Sequence, residues 1–294
     1  EWHDKDTLKK IGNVSWNKSI FQLHEKQGSD INSPYYRRLA YDEILSNLLV
    51  LSQARQRIRK FKKKEKKFDN SLSEKIKDNF KFILTLDQKK SIEEINKDLK
   101  SSYKMFRILQ GDVGTGKTIV ALISAANVIN SKFQVVLMSP TEILAKQHYE
   151  HAKKIFNLTK TNISMLTGKT KSNEKKIIKS NLLNGKIDLL IGTHAVFQKN
   201  IEYNNLGLVI IDEQHKFGVK QRIELSNKGG KNCDILLMSA TPIPRTLIMA
   251  AYGDMDISRI EEKPRERKDI ITLSKPEDKI DEILLFVKKK IKEG

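Results

Sequence analysis

The stretch RILQGDVGTGKTIVALISAANVIN, residues 107–130, constrains the fold more than any other part of the chain. RILQ has the apolar, β-rich texture of a buried strand, and TIVALISAANVIN has the length and composition of a buried helix. Between them Gly111, Gly114 and Gly116 crowd into six residues. A strand that passes into a helix through a glycine-rich turn belongs to a parallel sheet covered by helices. The glycines let backbone N–H groups turn inward, and the helix N-terminus adds partial positive charge. Such a loop is built to hold phosphate oxygens.

The run Gly111, Asp112, Val113, Gly114, Thr115, Gly116, Lys117 and Thr118 is a full match to G-x-x-x-x-G-K-[ST]. Lys117 is expected to reach the β- and γ-phosphates of a nucleotide, and Thr118 to ligate Mg²⁺. The metal needs a second acid from a neighbouring strand end. LGLVIIDE, residues 206–213, supplies one, an apolar strand ending at Asp212 and followed at once by Glu213. Asp212 is expected to hold Mg²⁺ through its water shell and Glu213 to polarise the attacking water. An acid pair after an apolar run is weak alone and strong beside the loop.

From about residue 80 apolar runs alternate with helical patterns. Strands are expected at 107–110, 134–138, 188–191, 206–211 and 235–238, and helices at 118–130, 142–156 and 173–183. This α/β alternation predicts a parallel sheet with helices on its faces and ligands outside the carboxyl ends of the strands. A further helix is expected at 276–292. Upstream, Leu39, Ile44, Leu45, Leu48 and Leu49 recur at helical spacing and lead into RQRIRKFKKKEKK, with nine basic residues in thirteen at 55–67. That run reads either as a phosphate-contacting arm or as a solvated face.

A net charge of +19 favours polyanionic partners, nucleic acid first and an anionic membrane surface second. The bland alternative is a lysine-rich, solvated surface. Cys233 is the single cysteine, which excludes an intrachain disulfide and a cysteine-based zinc site and fits a reducing compartment. The longest nearly apolar run, 119–129, is too short to span a bilayer. No export leader opens the sequence. It lacks a starting Met and stops within an expected helix, so it reads as a piece of something longer. His148 and His151 sit three apart on an expected helix, and His215 lies near the acid pair. They lack the further ligands of a zinc motif, and surface positions are expected for them.

GDVGTGKT, DEQH at 212–215 and SATPIPRTL at 239–247 follow one another in the order of superfamily 2 helicases and translocases. PTEILAKQH (140–148), GTHAVFQ (192–198), DEQHKFGVKQR (212–222) and NSPYYRRLAYDEILSNLL (32–49) resemble the RecG family of bacterial ATP-dependent DNA helicases. The segment GDMDIS…PRERK is similar to that family's GDLDxS…PPGRK, with Arg265 replacing a proline. The resemblance spans nearly the whole sequence. The transcription-repair coupling factor shares GDVGxGKT and TPIPRTL, but it reads DEEQRFGV where this sequence has DEQHKFGV.

The resemblance implies a RecA-like P-loop NTPase lobe at 80–262. A helical connector at 1–79 would precede it, and a linker with the start of a second lobe would follow at 263–294. It implies that Gln88 reads the adenine edge, and that Pro140, Thr141, Glu142, Gly192, Thr193 and His194 touch the DNA backbone. Ser239, Ala240 and Thr241 would couple hydrolysis to domain movement, with His215 as a sensor between nucleotide and the other lobe. The implied cofactors are ATP and Mg²⁺. The implied substrate is branched DNA, stalled forks or Holliday junctions, met by a monomer in the bacterial cytoplasm at the nucleoid. Two other readings stay open, a non-motor DNA-binding module with a vestigial or regulatory nucleotide site, and a duplex translocase like the coupling factor.

Overall fold

A computed structural model describes residues 3–25, 30–59, 62–79, 83–198, 200–212, 230–240, 255–264 and 274–293. The chain divides into two compact units, Glu1–Lys263 and Pro264–Gly294.

The first unit opens with α1 (Lys5–Lys10), α2 (Trp16–Glu25), α3 (Pro34–Arg59) and α4 (Ser71–Asn79). The α/β part follows: α5 (Leu86–Lys100), β1 (Phe106–Gly111), α6 (Lys117–Asn130), β2 (Gln134–Met138) and α7 (Glu142–Ile155). It continues through β3 (Ile163–Leu166), α8 (Ser172–Leu183), β4 (Leu189–Gly192), β5 (Leu206–Ile211), β6 (Asp234–Ser239) and β7 (Asp256–Ile260). The strands form one sheet in the order β3-β4-β2-β5-β6-β1-β7, and every pairing is parallel. The five expected strands and the three helices between them are all present. β3 and β7 were not anticipated.

Alternation along each strand builds two cores. Leu109, Val135, Leu137, Ile210 and Leu236 pack on one face with α4, α5, α6 and α7. Ile108, Val136, Leu190, Val209 and Leu237 pack on the other, with Ile178 and Leu182 of α8. Burial on both faces explains why these strands read as continuous apolar runs. α6 is buried from Ile119 to Ile129 because the sheet covers one side and Ile76, Ile92, Ile95 and Leu99 belong to the same core. The apolar run at 119–129 is therefore a central core helix. No helix among the described residues is long and apolar enough to cross a membrane.

Within the basic run, Lys63 and Lys66 fit neither reading offered for it, and residues 60 and 61 lie outside the described residues. The start of the run closes α3, but residues 62–67 lie outside any helix, and Lys63 and Lys66 are buried. Lys63 Nζ donates to both carboxylate oxygens of Asp234 at 2.8 and 2.7 Å and to the Asp98 carbonyl at 2.8 Å. Lys66 Nζ reaches Asp234 Oδ2 at 2.6 Å and the Asn232 carbonyl at 3.0 Å. The Met105 N–H completes the carboxylate's shell at 2.6 Å. Gly207 makes room for this arrangement, since a Cβ there would lie 2.5 Å from Phe133 Cβ and 3.0 Å from Lys66 Cε. Burial lowers the Lys63 pKa, and the Asp234 charge opposes that shift. Lys62, Lys64 and Lys67 are exposed. The run is thus partly a structural strap, held down by charge pairs whose desolvation is offset by close hydrogen bonds.

The second unit contains α9 (Ile280–Glu293), with Lys275 paired to Glu282 at 2.8 Å. Ile280, Leu284, Leu285 and Phe286 of this helix are exposed.

Candidate functional site

All seven strands among the described residues are parallel, so their carboxyl ends share one edge of the sheet. Along β5-β6-β1 that edge presents Asp212, then Ser239 and Ala240, then the phosphate loop. Ser239 is level with Gln110, one residue before Gly111. Asp212 lies two ladder spacings from β1, roughly 10 Å. Asp212 and the glycine-rich loop therefore face the same edge, with the 239–240 segment between them.

The loop's shape follows from its glycines. Gly114 and Gly116 have φ of +83° and +86°, a region that L side chains avoid. Gly116 caps α6, and a Cβ there would also collide with Gln88 Nε2. Thr115 is buried and donates from Oγ1 to the Asp112 carbonyl at 2.9 Å, while Val113 is exposed at the loop tip. Lys117 Nζ donates to the carbonyls of Gly111 and Asp112 at 2.6 and 2.9 Å. A triphosphate would offer that ammonium stronger, anionic acceptors at the same place. Thr118 lies in the first turn of α6. A glycine-shaped cradle at a helix N-terminus, with a hydroxyl and a nearby carboxylate, fits Mg²⁺ bound to a nucleotide.

Gln88 locks this loop to α5. Its Oε1 accepts from Thr85 N–H at 3.0 Å, closing a capping box, and its Nε2 donates to the Thr115 carbonyl at 2.7 Å. The amide retains a second hydrogen and a second lone pair for a base edge. The Glu262 carboxylate accepts from the Leu86 N–H, and the Asp87 carboxylate accepts from the N–H groups of Glu261 and Glu262, which ties the start of α5 to the exit of β7.

On the other half of the edge, Pro140–Glu142 and Gly192–His194 come together. Met138 pairs with Gly192, and Ser139 N–H donates to the Gly192 carbonyl at 2.9 Å. Thr141 caps α7 by accepting from Leu144 N–H, and His194 opens a short 3-10 helix. Glu142 is bonded to Lys169, whose side chain and ammonium charge hold the carboxyl below its ordinary range. Gly192 cannot be larger, because a Cβ there would overlap the Leu166 carbonyl and approach Val196 Cγ1 at 2.7 Å. Glu213, His215 and Thr241 lie outside the described residues.

The expectation of surface histidines fails at His148. It is 9% exposed, and its Nε2 lies 2.7 Å from Asp212 Oδ2. The contact joins positions 64 apart in sequence. A signal was available, because Ala145, His148, Ala152 and Ile155 mark the buried stripe of α7. His151 is partly buried, and burial, with the charges of His148 and Lys154, lowers its pKa.

The sequence matches the family of DEAD/DEAH box helicases over residues 85–250. It is 46% identical over 261 residues to the ATP-dependent DNA helicase RecG of Thermotoga maritima, covering 87% of this chain and 33% of that protein. It is 39% identical over 288 residues to the RecG of Borreliella burgdorferi, covering 98% of this chain and 41% of that one. The structure of RecG bound to a three-way DNA junction superposes with a TM-score of 0.83 at 36% identity, over all of this chain and 40% of that one. The chain thus spans about two fifths or less of the length of these relatives.

Proposed function

This chain belongs to the DEAD/DEAH box helicase family and is homologous to bacterial RecG, and from that premise we propose that it is the ATP-binding lobe of a DNA-remodelling motor. Residues 80–262 form the first RecA-like lobe, 1–79 the connector, and 263–294 the link into a second lobe. Exposed apolar residues along α9 support the last assignment, since the first helix of a further lobe would need such a face.

The observation that carries the reading is the succession of strand ends β5-β6-β1, which sets Asp212, Ser239 and the phosphate loop on one edge. Backbone N–H groups of residues 112–118 bind the phosphates of ATP, Lys117 neutralises their charge, and Gln88 reads the base. Thr118 and Asp212 hold Mg²⁺, which when bound offsets charge on the transferring phosphoryl group. Glu213 orients the attacking water. Ser239, Ala240, Thr241 and His215 pass the state of the nucleotide to the second lobe. Pro140–Glu142 and Gly192–His194 contact the DNA backbone. The substrate is branched DNA, stalled forks or junctions, encountered in the bacterial cytoplasm at the nucleoid, and the working unit is a monomer. The junction held by the structurally similar RecG supports that choice of substrate.

Lys117→Ala tests the assignment. The variant chain is expected to lose nucleotide binding by at least tenfold in a fluorescent-nucleotide titration, from loss of a charge-assisted contact worth roughly 1.5–3 kcal/mol. In the full-length protein it should abolish DNA-stimulated ATP hydrolysis and unwinding. Unwinding that persisted in Lys117→Ala would instead favour a DNA-binding module with a vestigial nucleotide site.

A further inference from the structure

Asp212 is the first residue beyond β5. Two contacts tie it to the β2–α7 unit. Its backbone N–H donates to the Met138 carbonyl at 2.9 Å, and its Oδ2 lies 2.7 Å from His148 Nε2. A carboxylate only accepts, so Nε2 carries the hydrogen. Both side chains are nearly buried, at 11% exposure for His148 and 13% for Asp212. The other buried members of the α7 stripe are Ala145, Ala152 and Ile155. A polar ring among small and apolar neighbours, aimed at the metal-side acid, is more than filler.

We propose that His148 is a positioning residue for Asp212, fixing the orientation in which its carboxylate meets the water shell of the nucleotide-bound Mg²⁺. The proposal rests on the nucleotide-site reading above. His148 touches neither nucleotide nor metal. It acts on the orientation of the acid, as a hydrogen-bonding partner one step out from a metal ligand does. The element that carries it, α7, begins at Glu142, beside the segment assigned to DNA. The same helix therefore borders both halves of the edge.

The test measures how much Mg²⁺ tightens binding of a fluorescent ADP analogue to this chain. Three proteins are compared: wild type, His148→Leu, which keeps bulk without a donor, and His148→Gln, which restores an N–H near Nε2. The expected result is that His148→Leu loses roughly 10–100-fold of the Mg²⁺-dependent gain with its Mg²⁺-free affinity unchanged, while His148→Gln recovers most of it. Asp212→Asn sets the floor. If His148→Leu fails to give a cooperative melt, His148→Ala is read by the same criterion. A full Mg²⁺ gain in the donor-less variant, or a glutamine variant as impaired as the leucine one, overturns the role of His148. A wild-type chain that binds no nucleotide at all would overturn the nucleotide-site reading itself, so the two failures are distinguishable.

Discussion

Two ammonium groups, Lys63 and Lys66, share the buried carboxylate of Asp234, and all three side chains are fully inaccessible. Removing the shared acid strands both cations, so Asp234→Asn is expected to cost about 3–5 kcal/mol in urea unfolding. His151 gives a milder, pH-dependent signature. Its folded pKa lies below the ordinary 6.5, so the unfolded chain takes up the proton first as pH falls. Its contribution to stability is complete above 6.5 and declines as pH drops through the window below it. His151→Gln should therefore flatten the fall in melting temperature between neutral and mildly acidic pH. At this scale the sequence was only partly legible. That Lys117, Thr118 and Asp212 lie at the carboxyl edge of the sheet was readable because motif spacing encodes it. The Lys63–Asp234 pairs were not, since a lysine-dense run ordinarily signals solvent. The one hint was an acid opening the apolar strand DILLMS.

At the level of elements, five strands announced themselves through continuous apolar runs buried on both faces. β3 did not, because ISML is a four-residue edge strand with only Leu166 fully buried. β7 was masked by its mixed composition, DISRI, at the opposite edge. Arg107 shows how that second edge is secured. It is buried in β1 and bonds Asp98 and Glu94 of α5 and Ser258 of β7, so one guanidinium pins three elements. The tightest junction lies between β3 and β4. Gly192→Ala would press a methyl group into the Leu166 carbonyl, and the overpacking is expected to cost about 1–3 kcal/mol. A lowered melting temperature checks this. A variant as stable as wild type would mean that the β3 edge shifts freely.

For the molecule as a whole, the charge of +19 overstates the surface available to a polyanion, because part of the basic run is interior. The exposed members should carry any DNA contact. Replacing Lys62, Lys64 and Lys67 with glutamine in the full-length protein is expected to reduce the slope of log affinity against log salt by up to about 3 for duplex DNA. Replacing Lys63 or Lys66 should reduce stability and leave that slope alone. The buried strap also bears on modularity. The match to the helicase family model begins at residue 85, which invites the view that the α/β part can be excised there and transplanted as a self-sufficient part. Such an excision would leave Asp234 as an orphaned interior anion and strip Ile76 from the outer side of α6. The folding unit is therefore longer than the matched helicase segment, because residues 62–79, upstream of it, complete its core.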